Sequence, residues 1–262
     1  MFISRIIIAL IMIFSFPILA VKKIEELSNY NEIKNIKRIV EYETESERKN
    51  GLLCLKNDNL PFTGAMIYRK DGINIKGINV YSNGRLNGES YSYYKSGKLY
   101  NRLFFNNDIK KNLIGYYENG IKSAEVELLK DPNARNQNIF DGKSLLYDKK
   151  GNLFAEMQFK NDSTVGQKQK FYENNRLKYE FIAGSELNEP AKPSQYYIEY
   201  YDNSDKVAMH CEEKPNGSWT CKEYKKDGTF KREKEYPTVI YKQRGTKDWI
   251  NYLLPVLKVF GL

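Results

Sequence analysis

A short phrase recurs seven times along this chain of 262 residues: an aromatic residue stands four positions before a turn residue, usually glycine. Successive phrases begin 23 to 31 residues apart. A period of this size predicts a repeat architecture, in which each unit buries its face against its neighbours. The aromatic members are Tyr68, Tyr93, Tyr116, Tyr147, Phe171, Tyr200 and Tyr224. The turn members are Gly72, Gly97, Gly120, Gly151, Asn175, Ser204 and Gly228.

Each phrase predicts one β-hairpin. In the clearest unit, a strand is predicted from Gly88 to Tyr94, a turn over Lys95 to Gly97, and a second strand after it. Counting by twos places Leu99, Leu103 and Phe105 on one face of that second strand. The fold class predicted for the chain is therefore all-β: an elongated single antiparallel sheet of stacked hairpin repeats, with a short C-terminal helix.

Charged residues follow the same period. Glutamates recur five positions after the turn residue, and this regularity favours cross-strand pairing with lysines rather than acid/base catalysis. They are Glu125, Glu156, Glu180 and Glu233. Two insertions, at residues 131–138 and 186–194, lengthen the third and fifth units. Such insertions tend to enter loops on one side of an array, as tolerated drift or as partner contacts.

Composition narrows the function classes. Aromatic residues make up 14% of the chain, and 21 of them are tyrosines, which suit strands with one hydrated face. The net charge of +9 comes from 42 basic and 33 acidic residues that are mostly interspersed. No run of Lys and Arg is dense enough to predict nucleic-acid binding. A solvated surface is the plain interpretation; an acidic partner or an anionic membrane is the alternative.

The first twenty residues predict export. Arg5 precedes an apolar stretch from Ile6 to Leu19, and the small residue Ala20 ends it, as in a secretory signal peptide. An uncleaved anchor is the alternative. We expect a periplasmic, extracellular or cell-surface protein. The predicted segments are a signal peptide at 1–20, a lead-in at 21–50 that is a helix or linker followed by a strand, the repeat array at 51–236, and a C-terminal amphipathic cap at 237–262.

Two of the three cysteines are expected to pair. Cys211 and Cys221 are symmetric about Pro215-Asn216-Gly217. A three-residue loop there, with Gly217 left-handed, would pair Lys214 with Ser218 and place the two cysteines opposite each other at a non-hydrogen-bonded site. In an oxidising compartment this predicts a cross-strand disulfide. The remaining cysteine, Cys54, is predicted to be a buried thiol.

No catalytic constellation emerges from the sequence. The single histidine, His210, adjoins Cys211, but adjacent residues on a strand point to opposite faces and cannot act as a pair. A zinc site built from His210 and the three cysteines lacks the close paired spacing of zinc ligands. The glycines precede strands rather than open a helix, which argues against a phosphate loop. We therefore predict no enzyme, no cofactor and no metal.

The C-terminal segment is a separate element. Thr246 could cap a helix that contains Trp249 to Phe260, interrupted by Pro255. This stretch is too short to span a bilayer. We expect it to cover the open edge of the sheet. Attachment to a membrane surface through Trp249–Phe260, or docking into a partner groove, is the alternative.

The phrases resemble the variant MORN repeats of bacterial proteins in the YwqK antitoxin-like family. The residues that carry the resemblance are Leu60–Gly64, Tyr81–Gly88 and Tyr116–Gly120, and it extends over residues 51–236. The chain departs from the pattern at Arg102, which replaces a recurrent glutamate. The resemblance implies a repeat fold, and its antitoxin label implies a protein that neutralises a partner.

Two function classes remain open. The first is an exported, non-enzymatic repeat protein that binds a protein partner, or serves as a scaffold, through one face of the array. Tyr93, Tyr116 and Tyr200 are the candidate contact residues, although the same rings could be ordinary packing within the sheet. The second class is an antitoxin or immunity-type protein, with a membrane-surface module as a further alternative. The partner protein itself cannot be identified from the sequence.

Overall fold

The computed structural model describes residues 39–56, 59–70, 74–128, 140–164, 166–182 and 196–237. Most of them lie in strands, and one short helix, α1, spans Tyr42–Glu45. The strands are β1 Ile39–Glu41, β2 Ser46–Lys49, β3 Leu52–Leu55, β4 Gly64–Lys70, β5 Asn74–Ser82, β6 Arg85–Leu86, β7 Gly88–Tyr93, β8 Leu99–Asn106, β9 Ile109–Tyr116, β10 Lys122–Leu128, β11 Phe140–Tyr147, β12 Leu153–Phe159, β13 Lys168–Glu173, β14 Arg176–Ile182, β15 Tyr196–Tyr200, β16 Val207–Glu213, β17 Trp219–Tyr224 and β18 Phe230–Tyr236.

Sixteen of these strands form one sheet, in which consecutive strands are hydrogen-bonded neighbours from β7 to β18. This confirms the predicted all-β class and the large antiparallel sheet. The exception to antiparallel pairing is β1, which runs parallel to β4. Strands β2 and β3 form a separate hairpin, whose turn is Asn50–Gly51. The predicted boundary between the lead-in and the repeat array, after residue 50, therefore falls inside the turn of one hairpin.

The turns of the repeat phrase all connect strands at the same end of the sheet, which we call the first rim. Gly97, Gly120, Gly151 and Gly228 each have a positive φ, between +79° and +91°. Each is the third residue of a three-residue loop closed by backbone hydrogen bonds, for example Tyr94 N–H to the Lys98 carbonyl at 2.8 Å. Glycine suits this position because it has no Cβ to clash with the backbone.

The opposite end of the sheet, the second rim, has different connections. Two-residue turns with positive φ at both positions occur at Asn83–Gly84, Asn107–Asp108 and Asn161–Asp162, as in type I′ hairpins. The connections from β10 to β11 and from β14 to β15 also start and end at this rim. Both predicted insertions belong to these two connections, and their residues are outside the described part of the chain.

A register shift recurs in all seven phrase hairpins, within two residue pairs of the first rim. In each hairpin one residue of the second strand has no direct partner, so the strand contains a β-bulge. The unpaired residues are Lys76, Tyr100, Ser123, Phe154, Lys178, Ala208 and Lys231. The bulge reverses the alternation of faces, because the residues on its two sides are two apart in sequence but pair with consecutive residues of the first strand, which point to opposite faces.

The structure differs from the predicted pattern in the face of Leu99 and in the positions of three phrases. Leu99 pairs with Tyr93 and packs in the cluster around Ala65 and Ile78, so it does not share the face of Leu103. In two phrases the aromatic position moves by one residue. In the first phrase, Arg69 rather than Tyr68 pairs across the bulge. In the fifth phrase, Tyr172 rather than Phe171 pairs across it, and the turn that follows has two residues, Asn174–Asn175. In the sixth turn the left-handed residue is Asn203, not Ser204, while Gly72 is outside the described residues.

From β10 to β17 one face of the sheet is buried, and we call it the apolar face. Its central row runs through successive strands from β10 to β17, and the largest core cluster surrounds it. Every residue of this row is at most 6% exposed. The row contains Val126, Ser144, Met157, Gln169, Phe181, Tyr197, Cys211 and Cys221. At the other end of the sheet, Leu53 and Phe62 cover Met66 and Tyr81 in a smaller cluster.

The opposite face, which we call the mixed face, alternates charged and aliphatic residues. Most of its members from β10 to β16 are half-buried, so this face meets solvent where the apolar face does not. Its central row is Glu125, Leu145, Glu156, Lys170, Glu180, Ile198, His210, Lys222 and Glu233. The predicted signal peptide, the lead-in up to residue 38 and the C-terminal helix are outside the described residues.

Candidate partner-binding face

Six tyrosines form a row along the mixed face, next to the first rim. Each is the last residue of the first strand in its hairpin or its nearest neighbour, and each pairs across the bulge. They lie on alternate strands, so neighbouring members are roughly 9.6 Å apart, twice the inter-strand spacing. This tyrosine row contains Tyr93, Tyr116, Tyr147, Tyr172, Tyr200 and Tyr224.

Exposure divides the row. Tyr93 is only 9% exposed and packs with Ala65, Ile67 and Tyr91, so the expectation that it is an exposed contact residue is wrong. The other five rings are half-buried. Of the predicted contact residues, Tyr116 and Tyr200 are therefore on the accessible part of the face. Tyr147 and Tyr224 are members of the sequence phrase. Tyr172 is not, because the two-residue turn at Asn174–Asn175 moves the row by one residue from Phe171.

Burial and nearby carboxylates raise the pKa of three tyrosines of the row. Partial burial raises the pKa of the Tyr147 and Tyr200 hydroxyls. It also raises the pKa of Tyr172 to about 12, aided by the charge of Glu156 and by the hydrogen bond that the Tyr172 hydroxyl donates to it, at 3.4 Å. These tyrosines are therefore neutral hydrogen-bonding groups at physiological pH, with apolar ring surface beside them.

Ion pairs run alongside the tyrosine row. Glu156 lies directly opposite Lys170 and 3.4 Å from the ammonium groups of both Lys170 and Lys143. Burial alone would raise the pKa of Glu156, but the two lysines outweigh it and hold that pKa below its ordinary value. Glu180 pairs with Lys168 at 3.6 Å, and Glu125 with Lys122. Glu156 and Glu180 therefore have the cross-strand lysine partners that their period indicated, whereas Glu125 pairs with a lysine of its own strand.

A second set of tyrosines joins neighbouring repeats. The Tyr94 hydroxyl donates to the Tyr116 carbonyl, and the Tyr117 hydroxyl donates to the Tyr147 carbonyl, both at 2.7 Å. Tyr201 makes the same bond to the Tyr224 carbonyl. Each bond crosses from one phrase hairpin to the next, so we call these residues inter-repeat clamps. They hold the backbone carbonyls of three residues of the tyrosine row in place.

A small polar cleft lies between two adjacent first-rim turns, at Asn174 and Asn203. Its volume is about 130 Å³, and an ion pair between Lys178 and Asp202 borders it. Pockets for small-molecule ligands enclose roughly 300–1,000 Å³. The cleft is therefore suited to a side chain or a few waters rather than to a metabolite.

The cysteines and the histidine occupy different faces. The structure places Cys211 opposite Cys221, with Cα atoms 4.0 Å apart, and joins them by a disulfide on the apolar face. His210 is on the mixed face, where its Nε2 lies 3.8 Å from a Glu212 carboxylate oxygen. Cys54 is a buried thiol. Within the described residues no cluster of His, Cys, Asp and Glu side chains could hold a metal ion.

No helix in the described ranges is long and apolar enough to cross a membrane. Comparison with known proteins adds no relative: no family model matches the chain, and no curated protein is significantly similar to it. The likeness to variant MORN repeats therefore remains a prediction from the repeat phrases.

Proposed function

We propose that this protein is an exported, non-catalytic repeat protein that binds a protein partner on its mixed face. The observation that carries the proposal is the contrast between the two faces. The apolar face is buried, whereas the mixed face has five half-exposed tyrosines in one row, beside ion pairs. Tyrosine supplies a large amphipathic contact area with few rotatable bonds, and interfaces are enriched in it.

The experiment that tests this proposal is paired affinity capture from the native cells. The double variant Tyr116→Ser, Tyr147→Ser removes two neighbouring rings of the row. Its control is Lys149→Ser, a change in an exposed turn residue at the same rim. A captured partner is then purified and its dissociation constant is measured for the three proteins.

We expect the double variant to weaken binding of that partner by at least about tenfold, because central aromatic contacts carry most interface energy. The Lys149→Ser variant should bind like the wild type. Thermal unfolding must first show that the double variant is folded. Unchanged affinity of a folded double variant would contradict the assignment of the face.

The proposal also includes export of the protein and the absence of catalytic turnover. Metal-independent hydrolase or transferase activity that disappears in His210→Ala would overturn the non-catalytic assignment. N-terminal sequencing of protein recovered outside the cytoplasm tests export and cleavage after Ala20. The antitoxin interpretation rests on the repeat resemblance alone, and membrane attachment rests on residues outside the described part. Both therefore stay predictions.

A further inference from the structure

The last strand of the sheet is β18, and its outer edge has no neighbour among the described residues. It pairs with β17 on one side, and no other described element pairs with it. Residues from Phe230 to Glu235 are all exposed, and the Phe230 ring is 56% exposed. A strand of this length that is open on one side presents a row of backbone donors and acceptors to another extended chain.

The register identifies the residues whose backbone faces outward. The Lys214 N–H donates to the Ser218 carbonyl, and bonded pairs alternate along antiparallel strands, so Cys211 and Cys221 form a non-bonded pair. The backbone of Cys221 therefore points toward β18, where its partner is Lys234. It follows that the N–H and C=O groups of Glu233 and Glu235 point away from the sheet.

The charges on β18 are separated by face. Arg232 and Lys234 lie on the apolar-face side, opposite Glu223 and Cys221 of β17. Glu233 and Glu235 lie on the mixed-face side. Arg232 binds Glu223 through two hydrogen bonds of 2.9 Å, Lys231 lies 3.4 Å from the same carboxylate, Lys234 lies over the Tyr236 ring, and Glu235 pairs with Lys214.

This pattern disfavours pairing with a second copy of the chain. Two identical β18 strands can extend one sheet only about a two-fold axis perpendicular to it, which keeps each face with itself. A register centred on Glu233 places Glu233 opposite Glu233 and Arg232 opposite Lys234. Registers centred on Arg232 or Lys234 place that residue opposite itself. Like charges directly opposite one another are destabilising, so each of these symmetric registers contains at least one unfavourable pair, although Lys231 meets Glu235 or Glu233 in the first two.

We propose that the β18 edge accepts one extended strand of a protein partner whose charges alternate. Basic residues of that strand stand opposite Glu233 and Glu235, and acidic residues stand opposite Arg232 and Lys234. The like-charge penalty that disfavours a second copy becomes opposite-charge pairing for this partner, which is how an edge gains specificity. The tyrosine row reaches β18 where Tyr224 pairs with Phe230, whereas the proposed contacts lie at the other end of that strand and do not depend on the row.

The test is an NMR titration of the isotope-labelled protein with two synthetic peptides. One seven-residue peptide alternates lysine and glutamate; the other has the same composition with its charges in two blocks. The variant Glu233→Pro removes an outward N–H and leaves the hydrogen bonds to β17, since proline is tolerated at a sheet edge. The variant Tyr116→Ser is the control for the mixed face.

We expect the alternating peptide to shift the amide signals of Glu233 and Glu235 saturably, and to bind about tenfold more tightly than the block peptide. Glu233→Pro should abolish the shift of the Glu235 amide, and Tyr116→Ser should leave both shifts unchanged. Equal binding of both peptides, or unchanged binding to a folded Glu233→Pro variant, would overturn the proposal. So would slow exchange of the Glu233 and Glu235 amides before peptide is added, or a dimer in light scattering that Glu233→Pro dissociates.

Discussion

A left-handed residue at the end of each three-residue loop is the strictest local requirement of this chain. At Gly97, Gly120 and Gly228 a Cβ placed on the backbone would meet no atom within 4 Å, so space is available there. The restriction comes from the backbone, whose φ lies between +79° and +91° at these positions. Asn175 shows that asparagine can take the left-handed conformation at this rim, with φ of 61°.

Gly120→Val should therefore destabilise the protein by about 1–2 kcal/mol, the cost of the left-handed conformation for a residue with a Cβ. The matched control is Gly120→Asn, which should retain most of the stability, because asparagine tolerates positive φ. Chemical denaturation measures both free energies of unfolding. Equal values for the valine and asparagine variants would contradict a backbone origin.

The turn residues were predictable because positive φ selects glycine and asparagine, whose identities are visible in the sequence. The faces next to the turns were less predictable. The bulge at Tyr100 changes the side of Leu99, and the two-residue turn at Asn174–Asn175 moves the row from Phe171 to Tyr172. Both depend on strand pairing, which a period of two cannot reveal. The burial of Tyr93 likewise depends on β4 and β5, which are distant in sequence.

At the scale of the hairpin, the inter-repeat clamps connect units that otherwise meet only through strand pairing. The Tyr117 hydroxyl reaches the Tyr147 carbonyl, 30 residues away in sequence. Tyr117→Phe removes this bond while keeping the ring, and should cost about 0.5–1.5 kcal/mol in the free energy of unfolding. Tyr116→Phe removes a hydroxyl from the preceding residue and serves as the control. A larger loss for Tyr116→Phe would refute the clamp.

The disulfide acts at the same scale, across β16 and β17. Cys211 and Cys221 close a loop of ten-residue separation, and both are fully buried. Loop-closure entropy predicts a stabilisation of about 2–3 kcal/mol. The double variant Cys211→Ala, Cys221→Ala should lose that amount in guanidinium unfolding. A non-reducing peptide map of protein from its native compartment tests whether the bond forms there, and two free thiols would count against it.

Across the whole molecule, the ion pairs of the mixed face make stability depend on pH. The lysines beside Glu156 hold its pKa below the ordinary 4.5, so the unfolded chain takes up this proton first as pH falls. The contribution of Glu156 is fully present above pH 4.5 and is lost as pH falls through its lower folded value. Glu156→Gln should therefore show a smaller acid destabilisation than wild type, whereas Glu118→Gln, in an exposed turn, should match wild type. Denaturant unfolding measured across a pH series checks this order.

Because each strand pairs only with its neighbours, local stability should follow position in the sheet. Strands β10 to β13 have partners on both sides and face the largest core cluster through Val126, Met157 and Phe171. Among the described strands β18 has one partner, and none of its side chains is fully buried.

Nearest-neighbour stabilisation predicts that amides of β18 exchange with solvent fastest and those of β10 to β13 slowest. Hydrogen exchange followed by mass spectrometry of peptic fragments measures this order directly. Uniform protection from β10 to β18 would show that the sheet opens as one cooperative unit, and would contradict the repeat-by-repeat description. A gradient that ends at β18 would show that interactions between adjacent hairpins, rather than a single closed core, set the stability of this fold.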